Sequence, residues 1–330
     1  MGKIKWAVVG TGHIAKLFTQ GLILVSDAER SAVVSRSADK AQLFARQYDF
    51  HSSFSDFRGM LDTVRPDVVY IAVPNDCHFD YVMQALDAGA NVLCEKPMPD
   101  NLAQLRFMLQ KAKDTNLFLM EGMWTRCFPA VQQARQWIAA GRIGKVLAVH
   151  CFFDIKTDVP DWQFWKAGIE HAAGALRDVG IYSLAMAFLG FADYPQKIYS
   201  NHVSNGEVDS RFDLMLQYTD GGVSFLSGAF DRISEHETVI IGETGRITIG
   251  PEFWHPTDAL LCANDGCTEL FTSPYESTGF QFEIMRVQEC LRAGLKECPD
   301  FTWHESTQIC TLIDSLRRDW HIVYRSDSAF

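Results

Sequence analysis

Two side chains able to hold and release a proton lie four residues apart in the run Gly174-Ala-Leu-Arg-Asp-Val-Gly-Ile-Tyr182. On a helix this spacing puts Asp178 and Tyr182 on one face, about 5–6 Å apart at Cβ. A free tyrosine titrates at about 10, and lowering its pKa by about three units requires roughly 4 kcal/mol. One ammonium group about 4 Å away supplies roughly that energy at an effective dielectric of about 20. Lys96, in the run Glu95-Lys96-Pro97, is the candidate for that ammonium.

The predicted roles are proton donor and acceptor for Tyr182, electrostatic partner for Lys96 and positioning for Asp178. An ionised, unpaired Asp178 would raise the tyrosine pKa, so pairing with Lys96 or accepting a hydrogen bond from a substrate hydroxyl suits it better. The alternative is a helix with an incidental Asp–Tyr pair and a lysine at a strand end. These residues by themselves leave both interpretations open.

A glycine-rich run, Gly10-Thr11-Gly12-His13-Ile14-Ala15, separates an apolar strand from a helical segment. In that context the pattern is typical of a turn that binds a dinucleotide. Gly10 permits the tight turn, Gly12 lets the backbone approach a pyrophosphate, and the helix N-terminus supplies N–H donors for phosphate. The residues Gly10, Thr11, Gly12, His13 and Ile14 are predicted to contact the cofactor. The alternative is an ordinary glycine-rich turn.

The end of the second strand reads Val34-Ser35-Arg36-Ser37, with no acid before Asp39. An acid here would bind the ribose hydroxyls of NAD, whereas arginine and small hydroxyl residues accommodate the 2′-phosphate of NADP. Ser35, Arg36 and Ser37 therefore favour NADP, with the planar guanidinium of Arg36 facing the phosphate. A solvated arginine at a strand end is the alternative.

Two further runs follow strands at the edge where open parallel sheets bind ligands. Pro74, Asn75 and His78 come after the fourth strand, and Glu95 and Lys96 come after the fifth. All five are predicted to contact the cofactor, with Asn75 and His78 at its nicotinamide half. A purely local role at the start of a helix is an equally good interpretation of His78.

Short apolar runs alternate with helical segments in the first third of the chain, which predicts an α/β Rossmann domain, a doubly wound parallel sheet, over residues 1–122. Unbroken apolar runs such as 68–73 are typical of strands covered on both faces. Strands are expected at 5–10, 31–35, 50–53, 68–74, 91–94 and 117–121, and helices at 14–25, 39–48, 55–62, 76–88 and 102–115.

Residues 123–330 are expected to form an α+β domain with a large, mainly antiparallel open sheet that serves substrate binding and dimerisation. Alternating runs and the turn dipeptides Asp220-Gly221 and Thr244-Gly245 indicate hairpins. Strands are expected at 145–153, 197–204, 212–218, 222–230, 238–241 and 246–249, and helices at 173–189, 280–293 and 305–323.

The composition limits the partners of this 330-residue chain. Its formal net charge of −11 argues against nonspecific nucleic-acid binding. No apolar run of about 18 residues and no signal-peptide layout is found, so neither a membrane partner nor secretion is expected. Nine cysteines without a Cys-x-x-Cys pair indicate reduced thiols in a cytoplasmic protein, including Cys262 and Cys267 at a predicted hairpin. No metal site is predicted.

The glycine-rich run, Glu95-Lys96-Pro97 and the run from Gly174 to Tyr182 together resemble the glucose–fructose oxidoreductase/inositol dehydrogenase superfamily. The run 120–129, Met-Glu-Gly-Met-Trp-Thr-Arg-Cys-Phe-Pro, looks like its dimeric dihydrodiol dehydrogenase and D-xylose:NADP dehydrogenase branch. The resemblance implies that Lys96 and Tyr182 form a catalytic pair beside Asp178, that the Lys96–Pro97 bond is cis, and that the second domain forms a homodimer through its sheet. The inositol dehydrogenase side usually has histidine in place of Tyr182, which argues against that side.

An aromatic lining suits either the C–H faces of a sugar or a flat dihydrodiol ring. Trp124, Phe153 and Trp254 are its candidates, with Arg126 as a polar contact, and Trp162 and Trp165 are weaker ones. The predicted function is NADP(H)-dependent hydride transfer between the nicotinamide and a secondary alcohol or hemiacetal carbon of a sugar or trans-dihydrodiol.

Two alternatives stay open. One is a non-catalytic NADP-binding regulator of the same fold, although such a protein has no need for Lys96, Asp178 and Tyr182 together. The other is a sugar-nucleotide oxidoreductase, for which Arg126 and Arg177 are the cations available to a substrate diphosphate. Arg177 also departs from the family's motif, as does Ala173, and both are expected to alter the substrate pocket.

Overall fold

The computed structural model describes residues 2–156 and 168–328, which form two compact units. The first unit holds the described residues up to Met123 together with Glu276–Ser306. The second holds the described residues from Trp124 to Tyr275 and those that follow Ser306. A segment near the end of the chain therefore belongs to the first unit, which a single boundary between residues 122 and 123 does not anticipate.

A six-stranded parallel sheet in the order β3-β2-β1-β4-β5-β6 forms the centre of the first unit. The strands are β1 (Ile4–Val9), β2 (Ala28–Val34), β3 (Ser52–Phe54), β4 (Val68–Ile71), β5 (Asn91–Glu95) and β6 (Leu119–Gly122). The helices are α1 (His13–Leu24), α2 (Ala38–Tyr48), α3 (Phe57–Val64), α4 (His78–Asp87) and α5 (Leu102–Thr115). Right-handed crossovers combined with this strand order place helices on both faces of the sheet. The predicted Rossmann fold is confirmed.

The returning segment carries α8 (Phe280–Arg292), which packs closely on α1. A Cβ added at Gly21 of α1 would lie 2.8 Å from Phe280 Cβ. Thr278 Oγ1 donates a hydrogen bond to Leu17 O at 2.9 Å, and Trp303 Nε1 donates one to Leu119 O at 2.8 Å. These contacts bind residues 276–306 to the first unit.

An eight-stranded sheet in the order β14-β13-β12-β11-β7-β10-β9-β8 dominates the second unit. Its strands are β7 (Val146–Asp154), β8 (Lys197–Ser204), β9 (Asp209–Gln217), β10 (Val223–Ala229), β11 (Thr238–Gly242), β12 (Gly245–Ile249), β13 (Asp258–Ala263) and β14 (Thr268–Thr272). Strands β7 and β10 pair in parallel, and the other neighbours pair antiparallel. The predicted mainly antiparallel sheet is confirmed.

Helices cover one face of this sheet. A π-helical turn, Leu176–Gly180, leads directly into α7 (Ile181–Phe191), and a Cβ at Gly190 would lie 2.5 Å from Val149 Cγ2 of β7. The stretch Ile169–Phe191 is not an unbroken apolar run, but by length and mean hydropathy it could cross a membrane, and 94% of its most apolar window is buried inside the protein. That burial is typical of a core helix. The other α-helices among the described residues of this unit are α6 (Pro129–Ala139) and α9 (Trp303–Asp319), whose last part lies in this unit.

Candidate active site

The turn between β1 and α1 has the backbone geometry that its glycines predict. Gly10 has φ +111°, and a Cβ there would lie 2.2 Å from Ala72 O, so only glycine fits. Gly12 is the N-cap of α1, no side chain caps this helix, and its first turn carries no acid. The first turn, which begins with His13 and Ile14, therefore offers backbone N–H donors to a phosphate without competition from a side chain.

The end of β2 presents one cation and two hydroxyl groups. Thr11 Oγ1 donates to Ser35 Oγ at 3.4 Å, which joins the turns after β1 and β2. Ser37 Oγ accepts from Lys40 N and caps α2. Arg36 is exposed, and among the described residues it forms no ion pair. A guanidinium without a carboxylate partner, between two hydroxyls, fits a 2′-phosphate.

The turn after β4 lies close to Arg36. Pro74 precedes a short 3₁₀ turn, Asn75–Cys77, that leads into α4. Burial and the Asp76 carboxylate raise the pKa of the Cys77 thiol, while the Arg36 guanidinium acts in the opposite direction. The charge of Arg36 therefore reaches the turn after β4.

His78 is fully buried, at 0% exposure, between two backbone carbonyls. Its Nδ1 lies 3.0 Å from Pro97 O and its Nε2 lies 3.0 Å from Val73 O. The ring thus joins the loop after β4 to the cis Lys96–Pro97 bond. This placement supports the local role and not the expected contact with a cofactor, because the ring is not exposed.

Glu95 is held by the core at the end of β5. Tyr70 donates its hydroxyl hydrogen to Glu95 Oε1 at 2.5 Å, and Lys96 N donates to Glu95 Oε2 at 3.2 Å. Burial raises the pKa of Glu95, against the opposing effects of the Tyr70 hydrogen bond and the Lys96 charge. Burial and the Glu95 carboxylate raise the pKa of Tyr70 well above its usual value. The carboxyl therefore fixes the backbone of Lys96.

Two further buried carboxyl groups, Glu121 and Glu283, lie near this loop, and neither was among the predicted site residues. Glu121 accepts hydrogen bonds from Met98 N at 2.9 Å and from Ser306 Oγ, which anchors the chain beyond Pro97. Glu283 of α8 is 0% exposed, and neither of its carboxyl oxygens has a hydrogen-bond partner among the described residues. Burial, then the negative charge of Glu95, raise the pKa of Glu283 well above its usual value.

In the second unit, both glycines of the run 174–182 are explained by close contacts. Gly174 has φ +126°, and a Cβ there would lie 2.2 Å from Asp209 Oδ1. Asp209 Oδ2 accepts from Leu176 N at 2.6 Å, and burial raises the pKa of this carboxyl to about 6. A Cβ at Gly180 would lie 2.5 Å from Phe212 Cζ. These contacts seat the π-helical turn against β9, and such turns are frequent at functional sites.

Tyr182 belongs to a group of aromatic rings, here called the aromatic cluster, which comprises Tyr182, Phe153, Trp254, His255 and Trp124. The Phe153 ring centroid is 5.6 Å from that of Tyr182, and Phe153 stacks on Trp254 at 4.2 Å and 16°. His255 lies 5.1 Å from Trp254 and 5.8 Å from Trp124. Three residues predicted to line the substrate pocket are therefore brought together with Tyr182.

The two arginines considered for substrate binding are buried. Arg126 is 3% exposed and donates to Ala185 O at 2.8 Å. Arg177 is 2% exposed, donates from Nε to Ala172 O at 2.7 Å, and lies 5.3 Å from the centroid of the Tyr324 ring. Neither placement supports the expected contact with a substrate or its diphosphate, because both guanidinium groups serve the core. Trp162 and Trp165 lie outside the described residues.

Lys96 belongs to the first unit, whereas Asp178 and Tyr182 belong to the second. The pairing of Lys96 with Tyr182 therefore stays a prediction. The cis Lys96–Pro97 bond is confirmed. All nine cysteines lie in the described part of the chain and are free thiols.

A Rossmann unit with a dinucleotide turn, followed by an open-sheet unit with a buried tyrosine, defines a nucleotide-dependent oxidoreductase as the class of protein. Residues 4–123 match the oxidoreductase family with an NAD-binding Rossmann fold, and residues 131–248 match the GFO/IDH/MocA C-terminal domain. The chain belongs to the GFO/IDH/MocA oxidoreductase family.

Similar proteins cover nearly the whole chain. Trans-1,2-dihydrobenzene-1,2-diol dehydrogenase of Sus scrofa is 31% identical over 98% of this chain and 99% of its own. The protein of the same name from Xenopus laevis is 28% identical over 97% and 99%. The expected likeness to the dihydrodiol dehydrogenase branch is confirmed.

Solved structures share the fold. Aldose-aldose oxidoreductase from Caulobacter crescentus, complexed with glycerol, has a TM-score of 0.85 at 22% identity, covering 96% of this chain and 97% of its own. Levoglucosan dehydrogenase in complex with NADH and levoglucosan has a TM-score of 0.87 at 18% identity, covering 96% of both chains. A 3-ketoreductase from Actinomadura kijaniata, in complex with NADP and TDP-benzene, has a TM-score of 0.81 at 23% identity, covering 96% and 98%.

Proposed function

We propose that this oxidoreductase is an NADP(H)-dependent dehydrogenase that acts on a secondary alcohol or hemiacetal carbon of a sugar or a trans-dihydrodiol. The observation that carries the proposal is the position of Tyr182 beside the stacked rings of Phe153 and Trp254. A phenol that can exchange a proton is thereby placed next to apolar ring surface. Such surface suits the C–H face of a sugar or a flat carbocycle.

In the proposed reaction, Tyr182 takes the hydroxyl proton of the substrate during oxidation and returns it during reduction. The ammonium of Lys96 favours the phenolate form of Tyr182 by charge, and Asp178 orients the substrate hydroxyl. Glu95 and His78 hold the loop that carries Lys96. When bound, the nicotinamide supplies the acceptor or donor of the hydride.

The cofactor is proposed to be NADP. Arg36 faces solvent without a carboxylate partner among the described residues, flanked by Ser35 and Ser37. The turn from Gly10 to Ile14 would hold the pyrophosphate. Pro74 and Asn75 would face the nicotinamide half from the turn after β4.

The open sheet supports the proposal of a homodimer. One row of residues crosses all eight strands in register and faces away from the helices: Leu270, Leu260, Thr248, Val239, His150, Phe225, Met215 and Tyr199. Most are apolar, and each is at least partly exposed, which is typical of an interaction surface.

Phe225→Asp is expected to convert a dimer to a monomer in sedimentation velocity. Leu43→Asp, on exposed α2, is the control, and a wild-type monomer would contradict the proposal. The cytoplasmic location stays a prediction.

A spectrophotometric screen tests the function. Wild-type protein is mixed with NADP or NAD and a panel of aldoses and trans-dihydrodiols, and NADPH or NADH formation is followed. Turnover with NADP that is lost in Tyr182→Phe is expected. Cofactor binding without turnover on any substrate would instead favour the non-catalytic regulator.

A further inference from the structure

His236, which the sequence analysis did not single out, packs against the aromatic cluster. Its ring lies edge-on to Phe153, with centroids 5.6 Å apart at 71°, and edge-on to Trp254, at 5.0 Å and 75°. Phe153 is also the neighbour of Tyr182. The imidazole and the candidate acid/base therefore share one aromatic wall.

The hydrogen bonds of His236 determine its tautomer. Nε2 lies 2.9 Å from Asp154 O, and because a carbonyl oxygen can only accept, Nε2 carries the hydrogen. In the neutral ring Nδ1 is then an acceptor. Nδ1 has no hydrogen-bond partner in the part of the chain that the structure describes, and the side chain is half-buried. One acceptor thus stays available beside otherwise apolar rings.

Hydrogen bonds to Asp154 and to the backbone of His236 fix the position of the ring. The carboxyl of Asp154 is buried and accepts from Ser227 Oγ at 2.9 Å and from Arg232 Nε at 2.9 Å. The backbone carbonyl oxygen of Asp154 accepts the hydrogen bond from His236 Nε2. The carbonyl of His236 accepts in turn from Phe253 N at 3.1 Å. An acceptor fixed this firmly needs little reorganisation to meet a ligand.

We infer that His236 Nδ1 accepts a hydrogen bond from a substrate hydroxyl remote from the reacting carbon, so that His236 favours a sugar with several hydroxyl groups over a trans-dihydrodiol. This inference rests on the proposed function. A dihydrodiol has two adjacent hydroxyls, one oxidised and the other next to it, and both are served by Tyr182 and Asp178. A third polar contact is useful only to a substrate with further hydroxyl groups. An unpaired acceptor in an apolar wall also disfavours substrates that lack a matching donor.

The test couples His236 to one hydroxyl of the substrate. The aldose turned over best by the wild type and its series of monodeoxy analogues are assayed with wild type, His236→Phe and His236→Gln. His236→Phe is expected to raise KM about tenfold while changing kcat less than about twofold. The analogue that lacks the hydroxyl bound by His236 should show the same rise in KM with the wild-type enzyme. With His236→Phe, the KM of this analogue should equal the KM of the parent aldose. His236→Gln should recover most of the affinity, because its amide nitrogen can donate to Asp154 O while its oxygen accepts.

Controls separate this inference from the proposed function. His202→Phe makes the same change on a histidine that stacks on Trp320, outside the aromatic cluster, and should leave KM unchanged. Turnover of a trans-dihydrodiol should change less than about twofold in His236→Phe. The role of His236 would be overturned if KM is unchanged in His236→Phe. It would also be overturned if the rises in KM caused by the deoxy substitution and by His236→Phe are additive for every analogue. Either result would leave the proposed dehydrogenase activity intact. Absence of turnover on all aldoses and diols would remove both.

Discussion

The hydroxyl of Tyr70 donates a hydrogen bond of 2.5 Å to Oε1 of Glu95, the residue directly before Lys96. The Tyr70 ring is buried and stacks on Phe18, with centroids 3.5 Å apart and an interplanar angle of 12°. A rigid core ring therefore fixes the carboxyl that in turn accepts from Lys96 N. The position of the proposed catalytic lysine depends on packing inside the Rossmann unit.

Tyr70→Phe keeps the stacked ring and removes only the donor. The free energy of unfolding should fall by about 1–3 kcal/mol, because a carboxyl buried with its donor removed is costly. The kcat should fall as well, since the backbone of Lys96 loses its support. Urea unfolding and steady-state kinetics measure the two effects.

Tyr218→Phe is the matched control for that change. Tyr218 is also buried and stacked, on Phe191, but among the described residues its hydroxyl forms a hydrogen bond only with Ser224 Oγ, at 3.2 Å. It should lose stability with kcat unchanged. Equal losses of kcat in both variants would show that the Tyr70–Glu95 bond has no special link to Lys96.

Glu283→Gln should remove a pH dependence of stability. The folded-state pKa of Glu283 is raised well above its usual value by burial, so the native protein keeps this proton at pH values where the unfolded chain has lost it. Stability therefore falls as pH rises above about 4.3, by up to about 1.4 kcal/mol per pH unit, until the native pKa is passed. Glutamine has no proton to lose, so the variant should be more stable than wild type near pH 7.

Unfolding by urea at several values between pH 5 and 8 checks this expectation. Glu289→Gln is the control, because Glu289 lies on the same helix with its side chain 61% exposed. It should follow the wild-type slope. Parallel curves for wild type and Glu283→Gln would contradict the assignment of a protonated Glu283.

Arg36→Ala should weaken NADP binding by about tenfold or more, because a charged hydrogen bond to the 2′-phosphate is lost. Affinity for NAD should change little, since NAD lacks that phosphate. Fluorescence titration with both cofactors measures the ratio. Arg46→Ala, an exposed arginine in the last turn of α2, should change neither value. A loss of NAD and NADP affinity by equal factors would remove Arg36 from this role.

The Rossmann unit could be predicted closely because its signals are local. Continuous apolar strands, helical periodicity and the clash that forbids a side chain at Gly10 are all written into short segments. The right-handed crossovers then predict a doubly wound sheet, whereas its strand order was not predicted. The cis bond before Pro97 came from the family resemblance rather than from the residues themselves.

The parts that escaped prediction depend on contacts distant in sequence. Residues 276–306 join the first unit through α8 and its contact with Gly21, which no local pattern reveals. Arg126 is buried because it donates to the carbonyl of Ala185. His78 has a backbone carbonyl at each ring nitrogen, whereas His236 has one at Nε2 alone. These partners are distant in sequence or set by the fold, so no local pattern reveals them. The turn between Cys262 and Cys267 indicates the hairpin of β13 and β14, but neither strand was predicted, because β13 is a short apolar run without alternation and three of the five residues of β14 are polar.

The most direct test of the account is the kcat of Tyr182→Phe, which keeps the ring beside Phe153 and removes the hydroxyl alone. Measured on the best substrate at saturating NADP, kcat should fall by about 10²–10⁴-fold, the usual contribution of a positioned acid/base. The dissociation constant for NADP should stay within about twofold of wild type. A kcat within about threefold of wild type would contradict the assignment of Tyr182 as the proton donor and acceptor.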